Sequence, residues 1–510
     1  MGSERKQALR LLEVVVVVVA VVFGVLALQR QAHSPQVSVT KGGTLRLATQ
    51  AVVRIDPAFV SSDQEVAVTN AVYDYLVDVD ADNHVQPRLA SAWTVSEDGL
   101  RYTFELQQGV SFHDGSPFGP QDVVWSFNRL RNPETSSAAS LFENVTEVTA
   151  VGPYAVRFVL SQNDPFFLFD LSDNRAAIVK DGTTEATDFN GTGPFKVVEF
   201  RPEDRIELEA NPGYFVAGLP KLKRVEIVFF PDSAAAVDAL RSGQVDLVWR
   251  LPGALFLTLQ GEPKLNTTLV PTNAFVLIRL RTDQKPGSDP RVVQAIKLAI
   301  DRQELLDSAA FGLGKLGNDS PIGPLYADYH VEATFQRDLV KARRLLADAG
   351  YAKGLDLKLF TPDSLGFPDV AVLVKEQLAE VGINVDVVVR PENIYYADRE
   401  WLDANFGLTS WGSRPVSQFY LDVMLVCDAK WNESRFCDKE FDRLARVAGS
   451  TLDEGERVAA YHRMQQILLE RGPIVVPYFF SQNAAISDRF EGFELQAFVG
   501  RSDLRLVKLR

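Results

Sequence analysis

Segments with a helical spacing of apolar residues alternate with segments of strand spacing along most of this chain. Residues 44–48 follow the turn KGG and have the alternation of a strand, and residues 63–76 then have the spacing of a helix. The same alternation continues as far as residues 454–471, which predict a late helix. Helices that alternate with strands predict an α/β fold. Because 510 residues exceed what one hydrophobic core can hold, we expect two or three lobes.

The limits of the other elements follow from the same spacing and from proline and glycine. Strands are predicted at residues 102–106, 155–160, 195–200, 205–210, 225–230, 353–362 and 383–389. Helices are predicted at residues 120–130, 234–242, 289–309, 339–350, 367–381 and 438–447. Within 289–309, Asp301-Arg302 ends one helical pattern and Glu304 begins another. Pro473 and Pro477 bracket a short apolar strand. The apolar segment 265–280 is long enough to cross between two lobes and is the predicted linker.

Composition and motifs exclude several classes of function. A formal net charge of -14 argues against nucleic-acid binding, which depends on basic patches that face phosphates. The chain has no nucleophile elbow, no HExxH and no P-loop, so we do not expect an enzyme. The histidines are scattered without metal-ligand spacing, so we expect no metal site and no cofactor; they are His33, His84, His113, His330 and His462.

The N-terminal segment predicts export. Basic residues at Arg5, Lys6 and Arg10 precede an apolar run over residues 14–28, which has the length of a secretory signal rather than of a full membrane span. We assign residues 1–36 to a signal peptide or an N-terminal anchor. An uncleaved anchor stays open because the cleavage signal is weak. In both cases we expect a periplasmic or other extracytoplasmic protein, tethered to the membrane if the signal is uncleaved.

The two cysteines, Cys427 and Cys437, lie close together in VCDAKWNESRFC. In an oxidising compartment a nearby pair favours a disulfide over a redox or metal site. Closing so short a loop stabilises a fold by somewhat less than about 3 kcal/mol in the chain-entropy model. Two free buried thiols are the alternative.

Several phrases occur in the order found in one family, and together they span about residues 42–490. They are GGTLRLA (42–48), IDPA (55–58), NAVYDYLV (70–77), PRLASAWTVSEDGLRYTFELQQGVSFHDGSPFGPQDVVWSFNRL (87–130), NGTGPFKVVEF (190–200), RIELEANPGYF (205–215), AVDALRSGQVDLV (236–248), DPRVVQAIKLAIDRQEL (289–305) and FDRLARVA (441–448). The chain resembles the extracytoplasmic solute-binding proteins of the peptide/nickel (dipeptide/oligopeptide-binding) class of ABC importers.

The resemblance implies a two-lobed periplasmic-binding-protein fold, type II-like, with an extra domain inserted in the first lobe. Projected onto this chain, lobe I comprises residues 42–84, 186–272 and 478–510, and the inserted domain comprises residues 85–185. Lobe II then comprises residues 273–477. In such proteins the lobes close over the solute, which is a ligand-shifted equilibrium.

The resemblance also implies a function. The expected protein is a monomer that captures a peptide or a peptide-like or anionic solute and delivers it to ABC permease transmembrane subunits, with the ATPase subunits acting indirectly. A membrane-tethered sensor or chaperone-like binding protein on the same fold is the alternative.

The loop TSWGSRPVSQFY, residues 409–420, is where the chain departs from peptide-binding relatives. Those relatives commonly carry an aspartate shortly after the tryptophan, where it pairs with the amino end of the peptide. Here Trp411 is retained and Arg414 or its neighbours take the place of the aspartate. The segment 361–370 also lacks the arginine that some dipeptide binders place for the carboxylate end.

An arginine presents a fixed fork of donors that suits carboxylate or phosphate. We therefore predict that Arg414 binds an anionic group, that Trp411 stacks on the solute, and that the backbone amides of Gly412 and Ser413 add donors. The alternative is that Arg414 pairs with an acid such as Asp422 and only shapes the loop.

Two further candidates follow strands: Gln50 after 44–48 and Trp249 after GQVDLV. Each is either a solute contact or a packing residue. Peptides are the default solute of the family, opines, sugar phosphates and other anions are its rivals, and the sparse histidines disfavour nickel.

Overall fold

The computed structural model describes residues 42–80, 83–332, 336–364, 366–397 and 399–510. The predicted export signal at residues 1–36 lies outside these residues. Within the described part of the chain, none of the helices combines the length and the apolar character that crossing a bilayer requires.

One mixed sheet of twelve strands forms the frame of the molecule. Its N-terminal wing contains the strands Thr44–Thr49, Phe195–Arg201, Arg205–Ala210, Arg224–Phe229 and Leu247–Trp249. Its C-terminal wing contains the strands Leu355–Pro362, Ile383–Arg390 and Phe406–Trp411. Between the wings lie the long strands Leu265–Leu280 and Tyr478–Ser487, with which Ile474–Val475 and Gly314–Leu316 pair.

Smaller sheets lie outside this frame. A four-stranded antiparallel sheet is formed by Ala90–Val95, Arg101–Leu106, Ala155–Leu160 and Val145–Gly152. Two-stranded ribbons pair Val77–Val79 with Val85–Pro87 and Phe490–Glu491 with Lys508–Leu509.

Helices cover both wings, as an α/β fold requires. The α-helices of four residues or more are Asp63–Val72, Pro120–Leu130, Phe167–Asp170, Ser233–Arg241, Gly253–Leu259, Pro290–Ala299, Arg302–Ala309, Leu339–Asp348, Phe367–Ala379, Glu392–Ala397, Glu400–Asp403, Lys439–Ser450 and Glu454–Arg471. A three-residue α-helical turn lies at Gln418–Tyr420, a π-helical turn at Leu421–Leu425, and 3₁₀ turns at Pro57–Phe59, Ala139–Phe142 and Val499–Arg501. The prediction of an α/β chain is confirmed.

Aspartate side chains begin many of these helices. Each accepts a hydrogen bond from a backbone N–H of the first turn, which satisfies a donor that the helix itself leaves free. The aspartates are Asp232, Asp289, Asp301, Asp338, Asp438 and Asp453. Part of the acidic charge of the chain is therefore explained by aspartates that cap the N-termini of helices.

The predicted linker, 265–280, is a single strand that runs from one wing of the sheet to the other. Its first part, as far as Pro271, pairs with Tyr478–Ser487, and its last part, from Phe275 to Leu280, pairs with Phe406–Trp411. The register shifts between Pro271 and Phe275, so the strand is irregular where it passes from one wing to the other.

Four hydrophobic clusters form the described core. The first joins the N-terminal wing, the four-stranded sheet and the C-terminal segment around Leu504, and the fourth packs helix Ser233–Arg241 on the same wing. The second and third lie on the C-terminal wing. One residue from the 85–185 segment, Phe166, belongs to the third cluster, so this segment contacts the C-terminal side.

The helix predicted at residues 63–76 ends earlier, at Val72. Tyr73 takes an extended conformation, and the backbone carbonyls of Asp74 and Tyr75 then accept from the N–H groups of Ile178 and Leu89 at 2.9 and 3.0 Å. Tertiary hydrogen bonds therefore replace the last helical turn, although the apolar spacing continues.

Candidate functional site

The carboxyl ends of three parallel strands meet at one edge of the N-terminal wing. Thr44–Thr49 runs parallel to both Arg224–Phe229 and Leu247–Trp249. A cavity of about 280 Å³, here called the strand-end cavity, opens at this edge and is lined by both Gln50 and Trp249. This is the edge at which open α/β sheets bind ligands, so two of the predicted candidates lie together where the topology favours a site.

The strand-end cavity is lined by both polar and aromatic residues. Gln50 is exposed, whereas Trp249 is buried and stacks on Phe493 with ring centroids 6.5 Å apart. Arg250 pairs with Asp63 at 2.5 Å between Nη1 and Oδ2. The cavity therefore offers an amide and an existing ion pair, with little free positive charge.

Trp411 ends the strand Phe406–Trp411 and is held by a buried carboxylate. Its indole Nε1 donates to Glu433 Oε1 at 3.1 Å, and the residue is only 9% exposed. Glu433 also accepts from Thr409 and pairs with Arg279 Nε at 3.1 Å. Burial raises the pKa of Glu433, and Arg279 opposes that rise. Trp411 thus supports the loop from inside, a placement that does not favour the predicted stacking on a solute.

The residues after Trp411, 412–415, form what we call the arginine loop. Tyr420 Oη donates to the carbonyl of Gly412 at 2.7 Å, and the backbone N–H of Asn273 donates to Ser413 Oγ at 3.2 Å. Tyr326 Oη donates to the carbonyl of Arg414. The backbone of the loop is therefore fixed by groups beneath it, while Gly412 and the side chain of Arg414 stay exposed.

Arg414 has no ion-pair partner among the residues that the structure describes. Its guanidinium lies 4.9 Å from the ring centroid of Phe419. Asp422, the acid named in the alternative interpretation, instead accepts from Gln418 Nε2 at 2.8 Å. The guanidinium therefore keeps its capacity to bind an anion.

A second cavity, here called the loop cavity, lies between the two sides of the molecule and measures about 80 Å³. The C-terminal side contributes Leu325, Arg414 and Pro415, and the other walls come from Val79, Asp80, Asn83, Ser172, Asp173, Asn174, Gln496, Ala497, Phe498 and Arg501. Asn83 Nδ2 donates to the carbonyl of Pro415 at 3.0 Å, which joins the two sides beside the cavity.

The predicted site residues thus fall into two groups. Gln50 and Trp249 line the strand-end cavity, and Arg414 lines the loop cavity next to Gly412, Ser413 and Trp411. Within the described ranges, no group of histidine, cysteine and acidic residues is arranged to hold a metal ion.

A disulfide joins Cys427 to Cys437, with the two Cα atoms 4.4 Å apart. The enclosed segment carries Asn432, Glu433 and Ser434, all buried. The bridge therefore constrains the segment that presents Glu433 to Trp411, which links it to the position of the arginine loop.

The segment 164–173 brings acids to the wall of the loop cavity and to the C-terminal side. The carboxyl of Asp170 is hydrogen-bonded to Asp164, and burial, followed by the charges of Asp164 and Asp173, raises the pKa of Asp170 well above its ordinary value. Burial also raises the pKa of Asp164. Next to them, Arg457 lies 5.6 Å from the ring centroid of Phe166.

A pH dependence of stability follows. Because the folded state raises the pKa of Asp170, it binds more protons than the unfolded chain above about pH 4, so stability falls as pH rises through this region. We expect Asp170→Asn to flatten this fall above about pH 4 in thermal unfolding. Asp238→Asn, at an exposed helix position, is the control. An unchanged pH profile in Asp170→Asn would contradict the assignment.

Asn83, Asp173 and Arg501 line the loop cavity but are not among the residues predicted from the sequence. They come from three segments separated by about 90 and 330 positions, and none belongs to a motif. The one usable signal was indirect, since Asn83 follows by a few residues the family phrase NAVYDYLV, most of which lies in the helix predicted at residues 63–76.

Comparison with known proteins identifies related chains. The model of the family described as bacterial extracellular solute-binding proteins, family 5 Middle, matches residues 84–432. A glutathione-binding protein, GsiB, of Salmonella paratyphi A is 25% identical over 466 residues, covering 88% of this chain and 91% of its own length.

Solved structures agree. The periplasmic binding protein DppA from Helicobacter pylori, solved with the peptide STSA, is 25% identical with a TM-score of 0.75, and the match covers 92% of this chain and 99% of that one. HbpA2 from Haemophilus parasuis is 22% identical with a TM-score of 0.81, covering 92% of this chain and all (100%) of that one. The predicted family and the predicted periplasmic-binding-protein fold are confirmed.

Proposed function

The chain belongs to family 5 of the bacterial extracellular solute-binding proteins, and we propose that it captures one peptide-like or otherwise anionic solute between the two sides of its sheet. The family and the matched structures are substrate-binding transport proteins and not enzymes, and this chain is a solute-binding component of an ABC importer. The observation that carries the proposal is Arg414, which lines a cavity shared by both sides and forms no ion pair with a described acid.

The chemistry of the arginine loop supports an anionic group on the solute. Tyr326 and Tyr420 hold the loop backbone and Asn273 holds the Ser413 side chain, so the guanidinium is presented from a fixed base. Preorganised donors lose less entropy on binding than flexible ones. Relatives named for glutathione and peptide binding bind solutes that carry carboxylates, which agrees with an arginine at this position.

The division into lobes forms part of the proposal. We propose lobe I at residues 42–84, 186–272 and 478–510, the inserted domain at 85–185, and lobe II at 273–477. The separate hydrophobic clusters of the two wings support this division. The register shift between Pro271 and Phe275 supports a hinge in the shared strand.

Partners and location follow from the same proposal. The loaded protein presents its closed form to the transmembrane subunits of an ABC permease, and it works as a monomer outside the cytoplasm, free or tethered through the segment 1–36. The disulfide between Cys427 and Cys437 supports an oxidising compartment. Relatives named for solute binding favour this function over a sensor or chaperone on the same fold.

A thermal-shift screen of the purified protein tests the function. The panel contains tripeptides, opines and sugar phosphates, each with a neutral analogue of similar size. We expect at least one anionic member to raise the unfolding midpoint with a saturable dose dependence, since a solute at 100 times its Kd stabilises by about 2.7 kcal/mol. A flat response to the whole panel and to a small-molecule extract of the native host would contradict the function.

A further inference from the structure

Arg501 lines the loop cavity opposite the arginine loop, and one of its nitrogens is unsatisfied. Its side chain is only 9% exposed, and its Nη1 is buried without a hydrogen-bond partner among the described residues. A buried guanidinium N–H without an acceptor is unfavourable, and in native structures such groups call for an explanation. A solute oxygen in the loop cavity would provide one.

The rest of the Arg501 side chain is fixed by its neighbours. Its Nη2 pairs with Asp78, whose carboxylate is shared with Arg88. The guanidinium carbon lies 4.1 Å from the ring centroid of Tyr75. One edge of the guanidinium is therefore anchored, which leaves Nη1 as the nitrogen with spare donor capacity.

Arg414 and Arg501 line the same cavity from opposite sides of the molecule. Arg414 extends from a loop on the C-terminal wing, and Arg501 ends the helical turn Val499–Arg501, which packs against helix Asp63–Val72. Resting on the proposed function, we propose that a single carboxylate of the solute binds between Arg414 and Arg501 in the loop cavity. Binding of that group then joins the two sides, because each provides one of its donors.

The walls of the cavity select the kind of anion. Asp173 lies in the wall with both carboxylate oxygens engaged by Arg175 at 2.7 and 3.0 Å. Asp80 accepts from the backbone N–H of His84 and from Gln86 Nε2 at 2.9 and 2.8 Å. The wall therefore carries acidic groups as well as arginines, which disfavours a doubly charged phosphate relative to a singly charged carboxylate.

The volume and the apolar wall of the loop cavity also limit which solute groups fit it. About 80 Å³ accommodates a carboxylate with a short aliphatic stem, and Val79, Leu325 and Phe498 provide apolar wall for the stem. The proposed substrate class is therefore a carboxylate-bearing solute, such as a peptide or an opine, and sugar phosphates are disfavoured.

Sodium propionate is a probe of matching size, and ligand-observed NMR with the whole protein measures its binding. We expect a Kd in the millimolar range, because so few heavy atoms limit the affinity. We expect Arg414→Gln and Arg501→Lys each to weaken propionate at least tenfold. Lysine keeps the charge that faces Asp78 but lacks the second guanidinium nitrogen, so it separates anion binding from folding. Arg201→Gln, at an exposed ion pair, is the control and should bind propionate as the wild type does.

Three results would overturn the assignment: equal binding of propionate by Arg501→Lys and the wild type, equal binding of inorganic phosphate and propionate, or no binding of propionate at all. These results are distinguishable from failure of the proposed function. If the proposed function is wrong, the anionic panel and the host extract also give no thermal shift. Circular dichroism melting of Arg501→Lys shows whether the variant is folded. If this variant is unfolded, two other measurements test the assignment: the binding of propionate by Arg414→Gln, and the binding of propionate compared with that of its neutral analogue propionamide by the wild type. A site that recognises the carboxylate binds propionate more tightly than propionamide.

Discussion

Replacing Arg414 with alanine should lower the affinity for the transported solute by about 10- to 150-fold, the loss expected for a hydrogen bond to a charged group worth roughly 1.5–3 kcal/mol. The guanidinium contacts the ring of Phe419 but forms no ion pair with a described residue. The loop is held by two hydrogen bonds to its backbone carbonyls and one to Ser413 Oγ, and the substitution leaves all three intact. The effect should therefore appear in binding rather than in folding.

Isothermal titration of the wild type and Arg414→Ala with the same solute measures this loss. The thermal midpoint of the variant should stay close to that of the wild type, because an exposed cation–π contact contributes only about 0.5–1 kcal/mol. Arg201→Ala removes a comparable exposed arginine that pairs with Glu199 away from both cavities, and its affinity should not change. Unchanged affinity in Arg414→Ala would mean that the arginine only shapes the loop.

Replacing Glu433 with glutamine should produce the largest loss of stability, about 3–5 kcal/mol, because it leaves the charge of Arg279 buried without a counter-charge. The side chains of this pair are 0% and 1% exposed. Glu433 also accepts from Trp411 and Thr409, so its loss loosens the base of the arginine loop. Solute affinity should fall as well, although Glu433 does not line either cavity.

Chemical denaturation with far-ultraviolet circular dichroism measures the change in the free energy of unfolding. Glu199→Gln breaks an exposed pair, whose members are 42% and 50% exposed, and should cost no more than about 1 kcal/mol. The double variant Arg279→Met/Glu433→Leu removes both charges and should be more stable than Glu433→Gln. A loss below about 1 kcal/mol in Glu433→Gln would show that the buried pair does not hold the loop.

The periodic parts of the fold could be predicted from the sequence because they depend on local spacing. The strand at 265–280 spans Leu265–Leu280, and the helix at 454–471 spans Glu454–Arg471, as the patterns indicated. The helix at 63–76 was predicted too long because its last residues form backbone bonds with distant segments, which no local pattern records.

The site was partly predictable for the same reason. Gln50 follows one strand and Trp249 ends another, and parallel strands bring their carboxyl ends to one edge, so their shared cavity follows from topology. The burial of Trp411 depends on Glu433, which lies 22 positions later beside a disulfide. Arg501 meets the arginine loop only through the tertiary fold, and no motif around it indicates a ligand.

Native mass spectrometry of the protein isolated from its own host tests the central claim most directly. We predict one solute per chain, with a mass that corresponds to a single carboxylate-bearing compound and is lost on unfolding. The same preparation of Arg414→Ala should carry much less of it. A protein that carries no solute from its host, or that carries the same amount with and without Arg414, would contradict the claim that the arginine loop captures a transported anion.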